Sequence, residues 1–198
     1  KTREATFWYN VRMKSANRTI TTDELHYDTR QSKAHVVGPS TIVQNGSIIH
    51  TSDAYFNSKT DKAEMYGRST VTEKDKEITG DSLYYNKRTG LARGLGNVVY
   101  VDKLNKNQLT GQRLFYNEKT GYGFATGRAL VKDYSQRDTL YLHADSMKLF
   151  TFHLNTDSMY RKVHGFNHVK IYRKDVQAIC DSLVFSSKDS CITMYHDP

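Results

Sequence analysis

The sequence predicts an all-β protein of about a dozen antiparallel strands, and three observations predict it. Residues that favour strands are plentiful: there are 14 Tyr and 8 Phe, with many Val, Ile and Thr, against only 2 Pro. Apolar residues recur at spacing two, the period of a strand, and not at the 3.6 of a helix. A hairpin-sized segment also returns along the chain.

The clearest copy is ITGDSLYYNKRTGLARGLGNVVYV, from Ile78. ITTDELHYDTRQSKAHVVGPSTIV begins at Ile20 and IHTSDAYFNSKTDKAEMYGRSTVT at Ile49, so the first spacings are 49 − 20 = 29 and 78 − 49 = 29. LTGQRLFYNEKTGYGFATGRALVK follows from Leu109. LHADSMKLF at Leu142 resumes as VHGFNHVKIY at Val163, and AICDSLVFSSKDSCITMYHDP begins at Ala178. Half a unit precedes Ile20, because YNVRM at 9–13 matches GNVVY at 96–100. The chain therefore enters mid-unit. No linker divides it, so residues 1–198 are expected to form a single domain whose N-terminus is truncated.

Each unit is expected to hold a short first strand, a turn and a longer second strand. Asn86-Lys87-Arg88-Thr89-Gly90 supplies Asn and Gly where positive φ is cheap, and Asp28, Asn57 and Asn117 open matching turns. Alternation then sorts the faces. In the Ile78 unit Leu83 and Tyr85 share one face with Gly94, Gly96, Val98 and Tyr100, and their counterparts in other units are also apolar or small. The opposite face carries His26, Arg93, Asn97, Arg128, His168 and Lys170. Units of this kind stack into an array in which each touches chiefly its neighbours. The two end strands are left open to pairing with another chain, near Val11 and Ile192.

Composition narrows function. Hydrophobic residues make up 37% of the chain, low for a compact globule, while aromatics at 12% exclude a disordered one. No apolar run is long enough for a membrane-spanning helix. The net charge of +8 suits polyanionic partners: nucleic acid, anionic membrane or phosphorylated glycolipid. Nucleic acid fits poorly, because most aromatics share the inner face. Cys180 and Cys191 could pair across a hairpin or remain free thiols. His164 and His168, four residues apart on a strand, would be about 13 Å apart, too far for one ion. Asp23, Asp81, Asp145 and Asp181 repeat in equivalent surroundings, which argues for capping of strand ends or turns and against acid–base catalysis. No nucleophile elbow, phosphate loop or zinc cluster is present, so no catalytic residue, metal ligand or cofactor is expected.

The pattern D-x-L-x-Y-N-x-x-T-G-x-A-x-G-x-G-N-V, from Asp81 to Val98, resembles the OstA-like repeat of the lipopolysaccharide-transport periplasmic bridge proteins. The resemblance runs from about Phe7 to Met194. It departs at Gln112 and Ser52, which stand where Asp81 does, at the insertion 150–162, and in the last unit, where Ile192 and Met194 replace glycines. The resemblance implies an elongated, twisted β-jellyroll, open like a taco, whose apolar interior holds lipid acyl chains. It also implies a periplasmic location and other β-jellyroll domains of the bridge, or further copies, joined end to end. Carried onto this chain, the lipid-lining residues are Leu25, Tyr27, Phe56, Leu83, Tyr85, Leu114, Tyr116, Met147, Leu149, Leu183 and Phe185 on first strands. On second strands they are Val36, Ile42, Met65, Val71, Gly94, Gly96, Val98, Tyr100 and Val131. The glycines are expected to leave room for the lipid. Two other readings stay open: a structural β-adaptor that assembles end to end without lipid, and a solenoid acting on polysaccharide, which would need acids gathered in one cleft.

Overall fold

The structure is a computed structural model and describes residues 3–15 and 18–195. Thirteen strands follow one another: β1 (Glu4–Lys14), β2 (Arg18–Asp28), β3 (Lys33–Gln44), β4 (Ser47–Asn57), β5 (Lys62–Glu73), β6 (Lys76–Asn86), β7 (Leu91–Asp102), β8 (Asn107–Asn117), β9 (Tyr122–Asp133), β10 (Leu140–Phe152), β11 (Tyr160–Arg173), β12 (Val176–Ser186) and β13 (Cys191–Tyr195). They form a single sheet in chain order with every neighbouring pair antiparallel. No helix occurs among the described residues. The all-β, open architecture expected from the sequence is the one observed. Both ends of residues 1–198, where the expected domain begins and stops, lie outside the described residues.

The turns follow from their Asx residues. The side-chain oxygens of Asp28, Asn57, Asn86 and Asn117 accept from the backbone N–H of Arg30 (2.7 Å), Lys59 (3.0 Å), Thr89 (3.2 Å) and Lys119 (2.9 Å). These turns stack along one rim. Lys59 donates to the Arg30 carbonyl at 2.7 Å, Arg88 to Lys59 at 2.6 Å and Lys119 to Arg88 at 2.6 Å. The insertion at 150–162 simply lengthens the β10–β11 hairpin, and Phe152 stacks on Tyr160 at 4.8 Å.

The first strands are not short. β2, β4, β6 and β8 each run 11 residues, so Asp23, Ser52, Asp81 and Gln112 lie in mid-strand. There the partner strand carries an extra residue: register shifts occur at Trp8/Val11, Val37/Ser40, Tyr66/Ser69, Leu95/Val98 and Phe166/Val169, and opposite Ala144/Ser146 on β9. The bulge residues take left-handed φ, among them Gly38, Gly67, Gly96, Asn97, Gly127, Arg128, Asn167 and His168.

These bulges bend every strand. A Cβ placed on Gly94 would sit 2.8 Å from Cγ1 of Val98, which a straight strand would hold about 13 Å away. Arg18 lies over the Phe56 ring at 5.7 Å, yet the two flank Gln44 and Ala34, ten residues apart on β3. The sheet is therefore folded along a mid-strand corner into two leaves with their apolar sides facing. Two buried clusters fill the space end to end: one around Ile20, Leu25, Val36 and Ile42, the other around Val98, Ala129, Val169 and Leu183. At the corner of the first cluster the bulges free backbone carbonyls, and buried hydroxyls meet them. Ser40 Oγ lies 2.7 Å from both Thr22 Oγ1 and the Gly38 carbonyl, and Ser69 Oγ 3.0 Å from the Gly67 carbonyl. Each strand approaches only those before and after it in the chain.

Candidate functional site: the interior and its seam

Nineteen of the twenty proposed lining residues face the interior, and their burial grades with position. Leu25, Val36, Ile42, Phe56, Met65, Leu83, Gly94, Val98, Leu114, Met147 and Leu183 are buried. Tyr27, Val71, Tyr85, Tyr100, Tyr116, Val131, Leu149 and Phe185 lie nearer the strand ends and are half-buried.

Gly96 is the exception and corrects the expectation. Its φ is +71°, and a Cβ there would run into the Asp81 side chain, whose Cβ would be 2.9 Å away. Gly96 belongs to the corner bulge and not to the inner column. Gly38, Gly67 and Gly127 occupy the same position in their units and are corrected with it. Simple alternation fails here because the chain turns at the bulge: Gly94, Val98 and Tyr100 keep one parity and face the interior, while Gly96 between them sits in the left-handed turn against Asp81.

The expected spare room is also absent at Gly94. Val98 and Leu83 close onto it, with the nearest Leu83 atom 3.4 Å from a notional Cβ, so the glycine lets two leaves meet and leaves no void. Replacement of Gly94 or Gly96 by Leu would disrupt the corner with or without a ligand.

The leaves touch again at their outer margins, forming a seam. Arg18 on the first leaf margin donates to Gln44 Oε1 at 2.9 Å and covers Phe56 on the other. Burial lowers the Arg18 pKa, partly offset by Tyr27. Tyr85 donates to Glu118 at 3.1 Å and faces Glu73 of the opposite leaf. Burial first, and these carboxylates second, push its hydroxyl up to about 12. Tyr100 is raised to about 12 by burial, then Asp102 and Tyr116, with Arg161 opposing. Alternation within strands could not reveal Arg18, Glu73 or Arg161, because Phe56, Tyr85 and Tyr100 meet them across the fold.

The repeating acids sit on the outside of the corner rather than capping strand ends. Asp81 accepts from Arg68 at 3.0 Å and Asn97 at 2.9 Å, and Asp145 meets His168 at 2.8 Å. Also outside, His35 stacks on Tyr55 at 4.0 Å, and Arg93 lies 5.9 Å from the rings of both Tyr84 and Phe115. Both cysteines are free, Cys180 buried and Cys191 exposed. Cys191 pairs with Ser186, six residues along β12 from Cys180, which excludes a bond across the hairpin. Among the described residues no group of three or more His, Cys, Asp or Glu could hold a metal ion.

Residues 1–79 match the family described as OstA-like protein. No curated protein matches the sequence. The fold is similar to the crystal structure of LptH, the LptA-homologous periplasmic component of the conserved lipopolysaccharide transport device from Pseudomonas aeruginosa. That match has a TM-score of 0.50 at 13% identity and covers 62% of this chain and 82% of that one. The OstA-like match reaches into β6, and the strands beyond it continue the same hairpin unit in one sheet.

Proposed function

We propose that this chain is a section of a periplasmic bridge that carries lipopolysaccharide or lipooligosaccharide from the inner to the outer membrane. The acyl chains would lie between the two leaves and the sugars outside. One observation carries this reading: a continuous apolar interior runs under all the units and is closed at the side only by the seam. The seam's few half-buried polar contacts are weak beside what a lipid offers. An acyl chain of about a dozen carbons gains on the order of 10 kcal/mol by burial, before ordering costs. Entry requires the leaves to part, and the corner bulges are the line about which they would turn. The OstA-like match and the LptH-like fold support the assignment, as does the positive charge, which suits a phosphorylated glycolipid. No step requires chemistry by the protein. The unpaired edges, β1 with exposed Phe7, Trp8 and Tyr9 and β13 with Ile192, Met194 and Tyr195, suit joining to further β-jellyroll domains or copies.

Photo-crosslinking residues at Tyr85, Val98 and Tyr116 should capture lipopolysaccharide, with the two seam positions labelling more than buried Val98. Probes at outward Arg93 and Asn97 should capture far less. Equal labelling of both faces sinks the carrier reading. The close packing at Gly94 favours a second reading, a structural adaptor with a sealed core. Absence of label at all five positions selects it.

A further inference from the structure

We infer that the corner between β7 and β9 holds a binding site for a phosphate-type oxyanion on the outer surface. The inference is independent of the interior and of the lipid reading.

At each corner a first-strand residue faces the left-handed bulge of the next strand. Asp23 faces Gly38, Ser52 faces Gly67, Asp81 faces Gly96 and Gln112 faces Gly127. At two corners the acid there holds a neighbouring basic side chain: Asp81 pairs with Arg68, and Asp145 meets His168 Nδ1 at 2.8 Å. In the Leu109 unit the acid is replaced by Gln112, while the second bulge residue is Arg128. The substitution removes the counter-charge where a guanidinium is present. Arg128 makes no hydrogen bond or ion pair among the described residues, and its φ of +58° is one that a side chain of this size rarely adopts.

A cleft of about 300 Å³ opens at this place. Arg68 and Arg128 flank it and the amides of Asn97 and Gln112 line it, while Asp81, bonded to Arg68 and Asn97, stands beside it without forming part of its wall. Arg68 uses only Nη1 for Asp81 and the Asn97 carbonyl, so its other nitrogens remain for a ligand. Gln112 Nε2 meets Asn97 Oδ1, and the Asn97 N–H meets Gln112 Oε1, both at the long limit of 3.4 Å. A charged acceptor would displace such contacts. Two guanidinium groups and two amides make a donor set for one tetrahedral dianion. The volume leaves space for a sugar ring attached to it.

The test is a titration of the full 198-residue chain with inorganic phosphate, glucose 6-phosphate and glucose at fixed ionic strength, read by amide and guanidinium NMR shifts. Saturable shifts are expected at Asn97, Gln112 and Arg128 with both phosphates, and none with glucose. Tighter binding of the sugar phosphate identifies a phosphorylated saccharide, and equal binding identifies the phosphate group alone; both support the site. Gln112→Asp places there the acid found at the Asp23, Asp81 and Asp145 corners, so the fold is kept, and it should weaken phosphate binding about tenfold or more by supplying an internal counter-ion. Arg128→Gln should do the same, and Arg128→Lys should retain part of the affinity. Undiminished binding by Gln112→Asp, shifts scattered over the basic rim, or no saturation with either phosphate overturns the inference.

Discussion

Replacing Gly96 by Ala tests the corner directly. A residue with a Cβ in left-handed conformation costs about 1–2 kcal/mol, and Gly96 is held at φ +71°. The new methyl would also meet Asp81, whose Cβ would be 2.9 Å away, and would push aside the carboxylate that holds Arg68 and Asn97. Loss of that exposed pair adds up to about 1 kcal/mol. The expected destabilisation is about 1–3 kcal/mol. Urea unfolding should show a lower midpoint with an unchanged slope. Asp81→Ser, the residue that faces Gly67 in the unit before, leaves only a hydroxyl in the methyl's way, 2.7 Å from the notional Cβ at Gly67 and free to rotate aside. The double variant should therefore lose less than the sum of the two singles, by at least about 0.5 kcal/mol. Neighbouring Asn97 shows why position matters: it tolerates φ +45° because Asn is suited to that region and its amide bonds Asp81. If Gly96→Ala stays within about 0.5 kcal/mol of the parent, the range of an ordinary surface substitution, the bulge does not set the bend.

Two further outcomes follow from the seam and the edges. Tyr85 and Tyr100 titrate near 12 when folded and near the ordinary 10.0 when unfolded, so their contribution is complete below pH 10 and is lost as pH rises to 12. The Tyr85→Phe, Tyr100→Phe double variant should flatten the alkaline fall in unfolding midpoint, with phenolate absorbance as a check; an equally steep fall would contradict the seam. The open β1 and β13 edges should make mass by light scattering rise with protein concentration, and a strict monomer up to millimolar concentration argues against end-to-end pairing.

The unit, the turns and most of the inner column were legible because they depend on local chemistry. Asn86 before Thr89 and Gly90 makes its turn without outside help, and Leu83 with Tyr85 keeps its face over a short straight run. The corner was not legible, because period-two counting assumes a straight strand. Read as a cap, Asp81 leaves only a short first strand around Leu83 and Tyr85, whereas β6 begins at Lys76 and carries Asp81 in its middle. Gly96 has the parity of the inner column but sits in the turn itself, which a straight strand does not have. The buried hydroxyls of Thr22 and Ser40 were hidden for the same reason: polar residues signal a surface unless the freed carbonyls they serve are known. The cleft at Arg128 left one trace in the sequence, Gln112 in place of an acid, which gained meaning only when the fold brought those two residues together.

Because the backbone of every strand pairs only with its chain neighbours, the cross-section of this molecule and its length are set by different features. The cross-section belongs to the corner and the two strand halves beside it. The length is a count of units, each adding two strands and therefore about 10 Å. Evolution can change the reach of such a molecule by duplicating or deleting 29-residue segments while every hydrophobic layer stays as it was. A fold of this kind works as a ruler, graduated in hairpins.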